Sequence, residues 1–147
     1  MLAAIRPDSW NLPLFLHVLG AILLFGTTAT IAIVGFAGRS QPTYAPMLSR
    51  IAFRTFLFGI VPAFVLMRVG AGWIVDKEFS NNEPGWVGVG FVVSEPGAIL
   101  LLVMGILAWV ASRRQGAGKA ALTVPILAGL YLIALVVAWW AMTTKPG

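Results

Sequence analysis

LPLFLHVLGAILLFGTTATIAIVGFAG, residues 12–38, decides the fold. The run holds no Lys, Arg, Asp or Glu, and its single ionisable side chain is His17. About 20 consecutive, mostly apolar residues carry a helix across a hydrocarbon layer. Nothing in that layer can hydrogen-bond a bare backbone, so a spanning segment of this kind must be helical. Three further apolar stretches of similar character follow, at about 52–75, 95–112 and 122–142. The expectation is an all-α integral membrane four-helix bundle, built as a single transmembrane domain over residues 1–147.

Composition agrees. Mean hydropathy is +0.92, with 59% hydrophobic and 10% charged residues, whereas a soluble domain carries about 25% charge. The net charge of +5 does not point to nucleic acid, because the basic residues sit in short loops between spans, where they set topology. The expected partners are membrane lipid and further copies of the chain or a larger membrane complex. With no cysteine, disulfides, thiolate zinc sites, iron–sulfur clusters and a cysteine nucleophile are excluded within the chain. Met1 to Asn11 lacks the cationic region and cleavage site of a signal peptide, so the first apolar run reads as a retained helix.

Asn11 and Pro13 suit the entry of the first span, and Gly35, Gly38 and Arg39 its exit. Pro62 near the middle of the second span predicts a kink. Ser94-Glu95-Pro96 has the makings of a helix start: a capping serine, an acid in the first turn and an early proline. The third span is therefore expected to begin near Glu95. Residues 76–94 then form an interfacial outer loop, with the apolar, glycine-interrupted stretch 86–93 lying on the surface. Pro125 falls in the first turn of the fourth span.

Arg39, Arg50, Arg54, Arg113, Arg114 and Lys119 crowd the loops after spans one and three, which contain no acid. Asp8, Asp76, Glu78 and Glu83 lie on the other side, with Arg6, Lys77 and Lys145. An excess of Lys and Arg marks the cytoplasmic side, so both termini are expected outside. Trp10, Trp73, Trp86, Trp139 and Trp140 would then ring the outer interface and Trp109 the inner one.

Away from the basic loops, each of three spans carries one ionisable residue: His17, Arg68 and Glu95. A charge in hydrocarbon is costly unless paired or wetted, which makes such residues functional-site candidates. This threading brings all three toward the outer face. Arg68 and Glu95 are the natural pair. They either lock two helices together or form a site for an anion, a proton or a polar headgroup. Arg68 could instead reach past Gly72 to the interface. His17 shares a face with Ala21, Leu24, Thr28, Ile31 and Gly35 at helical spacing, beside Gly20 and Thr27. Small and hydroxyl residues of this kind pack transmembrane helices closely, so His17 faces the bundle. Imidazole is also the commonest metal and haem ligand, and His17 is the candidate for that role. Three or four zinc ligands are not to hand in this chain. A haem would need Met67, Met104 or a second copy's histidine as partner. The methionines are scattered, and no phosphate-loop, zinc-protease or nucleophile-elbow motif occurs.

The run Leu16-His17-Val18-Leu19-Gly20-Ala21, followed by Gly26 and Gly38-Arg39, resembles the first helix of several uncharacterised bacterial four-helix inner-membrane families. More distantly it is similar to the copper-resistance D membrane domain and the membrane-bound protoporphyrinogen oxidase family. The resemblance covers about one helix. It implies a multi-pass protein of the bacterial inner (plasma) membrane, and it gives His17 a role in haem or metal handling, with haem b as the cofactor. Those families carry further histidines or polar residues in later helices, whereas this chain has no second histidine.

Three functions remain open on these grounds. The chain is a non-catalytic membrane subunit or scaffold with a polar pocket near the outer leaflet. Alternatively it binds haem through His17, with Arg68 pairing a propionate. Or it is an oligomeric conduit for a small molecule or ion, with Pro62 and Pro125 breaking helices beside the polar cluster. No catalytic constellation is present, so enzymatic activity is not expected.

Overall fold

The computed structural model describes residues 8–78 and 85–144, and its regular structure is entirely helical. The helices are α1 (Asn11–Ser40), α2 (Ala45–Thr55), α3 (Val61–Glu78), α4 (Gly85–Arg113) and α5 (Lys119–Thr144). A π-helical turn, Phe56–Ile60, joins α2 to α3 without a break. The five helices therefore make four rods, each long and apolar enough to cross a membrane. At 1.5 Å per residue, the 30 residues of α1 extend about 45 Å, more than the roughly 30 Å of a hydrocarbon layer. The outside of the bundle is apolar: Phe58 is 81% exposed, Ile33 69% and Ile99 66%. A monomeric soluble protein rarely shows continuous apolar surface on this scale.

The interior is narrow and built from small residues between a few large ones. Leu24, Thr28 and Ile31 of α1 are fully buried against Ile60, Ala63, Met104, Ala108, Ala128 and Tyr131. The stripe expected on α1 is thus its buried face. Thr28 satisfies its hydroxyl within its own helix, donating to the Leu24 carbonyl at 2.6 Å. The tightest approach is between α1 and α3. A Cβ on Gly20 would lie 2.8 Å from the Ala63 carbonyl oxygen, and one on Gly70 would lie 2.6 Å from that of Pro13. Two glycines, one per helix, bring these backbones into direct contact.

Around the bundle, α1 lies between α3 and α5, α5 packs on α4, and α4 closes the ring against α2. Beyond the π turn the ring does not close in the same way, and α3 barely touches α4. The local chemistry accounts for the turn. Val61 N–H bonds the Phe56 carbonyl, five residues back, and Pro62 has no N–H to offer the Phe58 carbonyl. The interruption expected at Pro62 is therefore a π turn just ahead of it. It redirects the second rod, so its first half packs on both α1 and α4 and its second half on α1, largely without α4.

The third rod starts earlier than expected. Helix α4 begins at Gly85, runs through Ser94 and Glu95, and carries Pro96 inside it. The expected interfacial loop at 76–94 is therefore helical at 76–78 and 85–94, and residues 79–84 lie outside the described residues. The Ser-Glu-Pro signal was outweighed by continuity of the buried face: Ser94, Gly97, Leu101, Met104, Ala108 and Ala111 recur every three or four residues, and Val87 lies two turns before Ser94 on the same face. A proline is tolerated inside a packed membrane-length helix, where neighbours or local adjustment satisfy the freed carbonyl.

At the basic end, α4 stops through Gln115 and Gly116, both at positive φ (56° and 77°). Gly116 N–H donates to the Ala111 carbonyl at 2.8 Å, a glycine-terminated helix end. Arg50 of α2 reaches this turn, donating from Nη2 to Gln115 Oε1 at 3.3 Å. At both ends cations sit over aromatic rings: Arg113 on Trp109, Arg39 on Phe36 and Lys77 on Trp73. Of the expected tryptophan belt, Trp73, Trp109, Trp139 and Trp140 are exposed and Trp10 is half-buried. The side chains of Trp86 and Glu78, and all of Arg6, Glu83 and Lys145, lie outside the described residues.

Candidate functional site

A cavity of about 430 Å³ occupies the end of the bundle opposite the basic turns, within the 300–1,000 Å³ typical of small-molecule sites. All four rods wall it. Its outer rim carries Trp10 ahead of α1, Val75 of α3, Val87 of α4 and Met142 of α5, so the start of α1 and α4 and the end of α3 and α5 share one end. The walls below are apolar, among them Leu14, Ile74 and Leu135.

The polar groups sit deeper. His17, Arg68 and Ser94 each lie two turns, about 10 Å, below the rim residue of their own rod (Trp10, Val75 and Val87), and Tyr131 lies about three turns below Met142. They form a polar layer under an apolar chamber. Such a layer arises because the cavity-facing positions of three rods repeat at seven residues, two turns of helix. The opening itself follows from the separation of α3 from α4 beyond the π turn.

His17 is held by the close α1–α3 contact. Its Nδ1 lies 3.0 Å from the Met67 carbonyl oxygen. A carbonyl can only accept, so Nδ1 carries the proton, and in the neutral ring Nε2 is left with a lone pair. Gly20 and Gly70 make this bond possible, since side chains at either would push the helices apart.

Arg68 crosses the gap between α3 and α4. Its Nη1 donates to Ser94 Oγ at 2.7 Å, and its guanidinium lies 5.3 Å from the centre of the Phe91 ring. Ser94 is buried and Arg68 half-buried. The expected pairing with Glu95 does not form. Glu95 is exposed, and among the described residues no carboxylate pairs with Arg68. The reason is rotational: consecutive residues on a helix point about 100° apart, and the buried stripe of α4 takes Ser94 inward and Glu95 out. Nor does Arg68 extend past Gly72 to the interface. His17 and Arg68 border one cavity, while Glu95 does not.

Sequence reasoning missed Ser94 as a partner and Tyr131 altogether. Ser94 could have been found by extending the Ala108–Met104–Leu101 stripe backward with helical period. Tyr131 carried no signal beyond being a phenol in an apolar run. It is 1% exposed, packs its ring edge against Gly97, and its hydroxyl has no hydrogen-bond partner among the described residues.

Chemically the site offers one permanent cation, a serine hydroxyl, an imidazole lone pair and two thioethers (Met67 and Met142) in an otherwise apolar chamber. Among the described residues no group of three His, Asp or Glu side chains converges on a metal position. A second crevice, about 70 Å³, lies at the basic end beside Gly35, Ala108 and Gly116, and has room for little more than water. No protein-family model, no curated protein and no solved structure matches this chain.

Proposed function

We propose that this chain is a multi-pass membrane protein that holds one small amphipathic molecule in the chamber at its outer end, acting as a non-catalytic binding subunit. The observation that carries the reading is the cavity itself: four apolar walls over a layer formed by His17, Arg68 and Ser94. A bundle needed only for packing would fill such a space, because voids forfeit dispersion contacts. The orientation proposed, with both termini outside, rests on the basic turns around Arg39, Arg50, Arg113, Arg114 and Lys119.

Ala71 borders the chamber and is half-buried, so Ala71→Trp should occupy it. The test is mass spectrometry of small molecules released from wild type and Ala71→Trp extracted in native lipid discs. A near-stoichiometric compound in the wild type that is missing from the variant is the expected result. Identical extracts from both would remove the reading.

One observation favours haem as the occupant. A ligating histidine ordinarily donates its other ring N–H to a carbonyl or carboxylate, which fixes the tautomer and orients the ring. His17 Nδ1 does this toward Met67. His17 Nε2 would hold the iron, Arg68 would meet a propionate, and the group would supply a redox-active or gas-binding iron. Oxidised and reduced absorption spectra of wild type and His17→Ala decide it: a haem band lost in the variant supports this occupant, and a flat wild-type spectrum excludes it.

A further inference from the structure

We infer that the occupant is a single-chain amphiphile with a carboxylate head, which docks on Arg68 and enters from the lipid between α3 and α4. The inference deepens the ligand-chamber reading and rests on it.

The head group follows from charge. Arg68 stays protonated at any physiological pH, lies well inside a membrane-length helix, and is met among the described residues only by a neutral hydroxyl and a ring face. Of its five N–H donors, one serves Ser94. The others have the planar fork that matches a carboxylate in two-pronged fashion. His17 adds no negative charge. Among the described residues the chamber therefore holds a cation without a counter-ion, and beyond His17, Ser94 and Tyr131 its lining is apolar. An anion bound there gains a charge-assisted contact in surroundings that screen it poorly.

The chain follows from size and shape. At the roughly 30 Å³ that a water-sized unit occupies in a liquid, about 430 Å³ accommodates on the order of fourteen such units. That suits one hydrocarbon chain rather than a two-chain lipid.

The route follows from the packing. The other neighbouring rods, α1 with α3, α1 with α5 and α4 with α5, are in extended contact, whereas α3 and α4 barely meet. The outward faces flanking that gap are apolar, with Val69 51% exposed and Val92 69%. The Arg68–Ser94 hydrogen bond and the Arg68–Phe91 stack cross the gap. The same guanidinium that binds the head group thus also bridges the entrance, and a carboxylate competing for its N–H groups would loosen that bridge.

The test titrates dodecanoate and dodecanol, one chain with two head groups, into the protein in phosphatidylcholine nanodiscs at alkaline pH. Ligand-induced thermal stabilisation is read relative to Ala71→Trp, which removes effects of the bilayer alone. Wild type should bind dodecanoate at least about tenfold more tightly than dodecanol, the size of one charge-assisted contact. Arg68→Gln, which keeps a donor for Ser94, should lose that preference while still binding dodecanol. Equal affinity of wild type for the two compounds would overturn the inference and leave the ligand chamber standing. Failure of both compounds to stabilise wild type relative to Ala71→Trp would also overturn the inference, and the extracts of wild type and Ala71→Trp then decide whether the ligand chamber itself stands. The wild-type preference stands as a measurement even if Arg68→Gln folds poorly.

Discussion

Tyr131→Phe should make the ligand-free protein more stable, not less. The Tyr131 hydroxyl is enclosed in the bundle with no partner among the described residues, in a residue 1% exposed. Burying a hydroxyl without a hydrogen bond costs about 1–3 kcal/mol by mutational measurement. Phenylalanine removes that cost and keeps the ring against Gly97. Against this, losing one oxygen forfeits a few dispersion contacts of about 0.1–0.2 kcal/mol each, so the desolvation gain wins. The expected change is a stabilisation of about 1–2 kcal/mol, or roughly 2–8 °C in the unfolding midpoint at about 2–4 °C per kcal/mol for a chain of this size. The assay is thermal unfolding of delipidated protein in dodecyl maltoside, checked by titration with sodium dodecyl sulfate. A Tyr131→Phe protein less stable than wild type by about 1 kcal/mol or more would refute the reasoning, because the hydroxyl would then have to be bonded in the native state.

Three further outcomes follow from the packing and the charge distribution. Gly70→Ala places a methyl 2.6 Å from the Pro13 carbonyl oxygen and should destabilise by about 1–3 kcal/mol, as overpacked sites do, while Gly72→Ala, with nothing within 4 Å, should change stability by less than about 1 kcal/mol in either direction; unfolding midpoints of the two side by side decide it. Because the chain has no cysteine, Gln115→Cys and Thr144→Cys can each be labelled without background: an impermeant maleimide should reach Thr144→Cys in intact cells and Gln115→Cys only after permeabilisation, and the reverse pattern would invert the proposed orientation. Arg50→Ala removes an exposed 3.3 Å contact to Gln115 and should cost less than about 0.5 kcal/mol, in keeping with surface polar pairs; a larger loss would mean that this turn, rather than the helix interfaces, holds the basic end together.

The number and type of the membrane-length rods were determined by the sequence alone, whereas the start of the third was not. Hydropathy reads them directly, because a mostly apolar segment of about 20 residues can satisfy its backbone in lipid only as a helix. The buried stripe of α1 was legible too, since helical period and small residues are local properties. What one residue does to another across the bundle was not. Arg68 meets Ser94 rather than Glu95 because the rotation of α4 is set by its whole buried face, and a three-residue capping signal cannot compete with seven inward positions. The π turn at Phe56–Ile60, and the separation of α3 from α4 that leaves the chamber open, are likewise invisible to hydropathy: both sides of the gap are apolar, as they would be if the gap were closed. Hydrophobicity specifies which segments leave water, but once every segment is apolar it no longer distinguishes their neighbours. That choice falls to backbone contact at Gly20 and Gly70, to the register shift before Pro62 and to the reach of one arginine, and these exist only in the folded bundle.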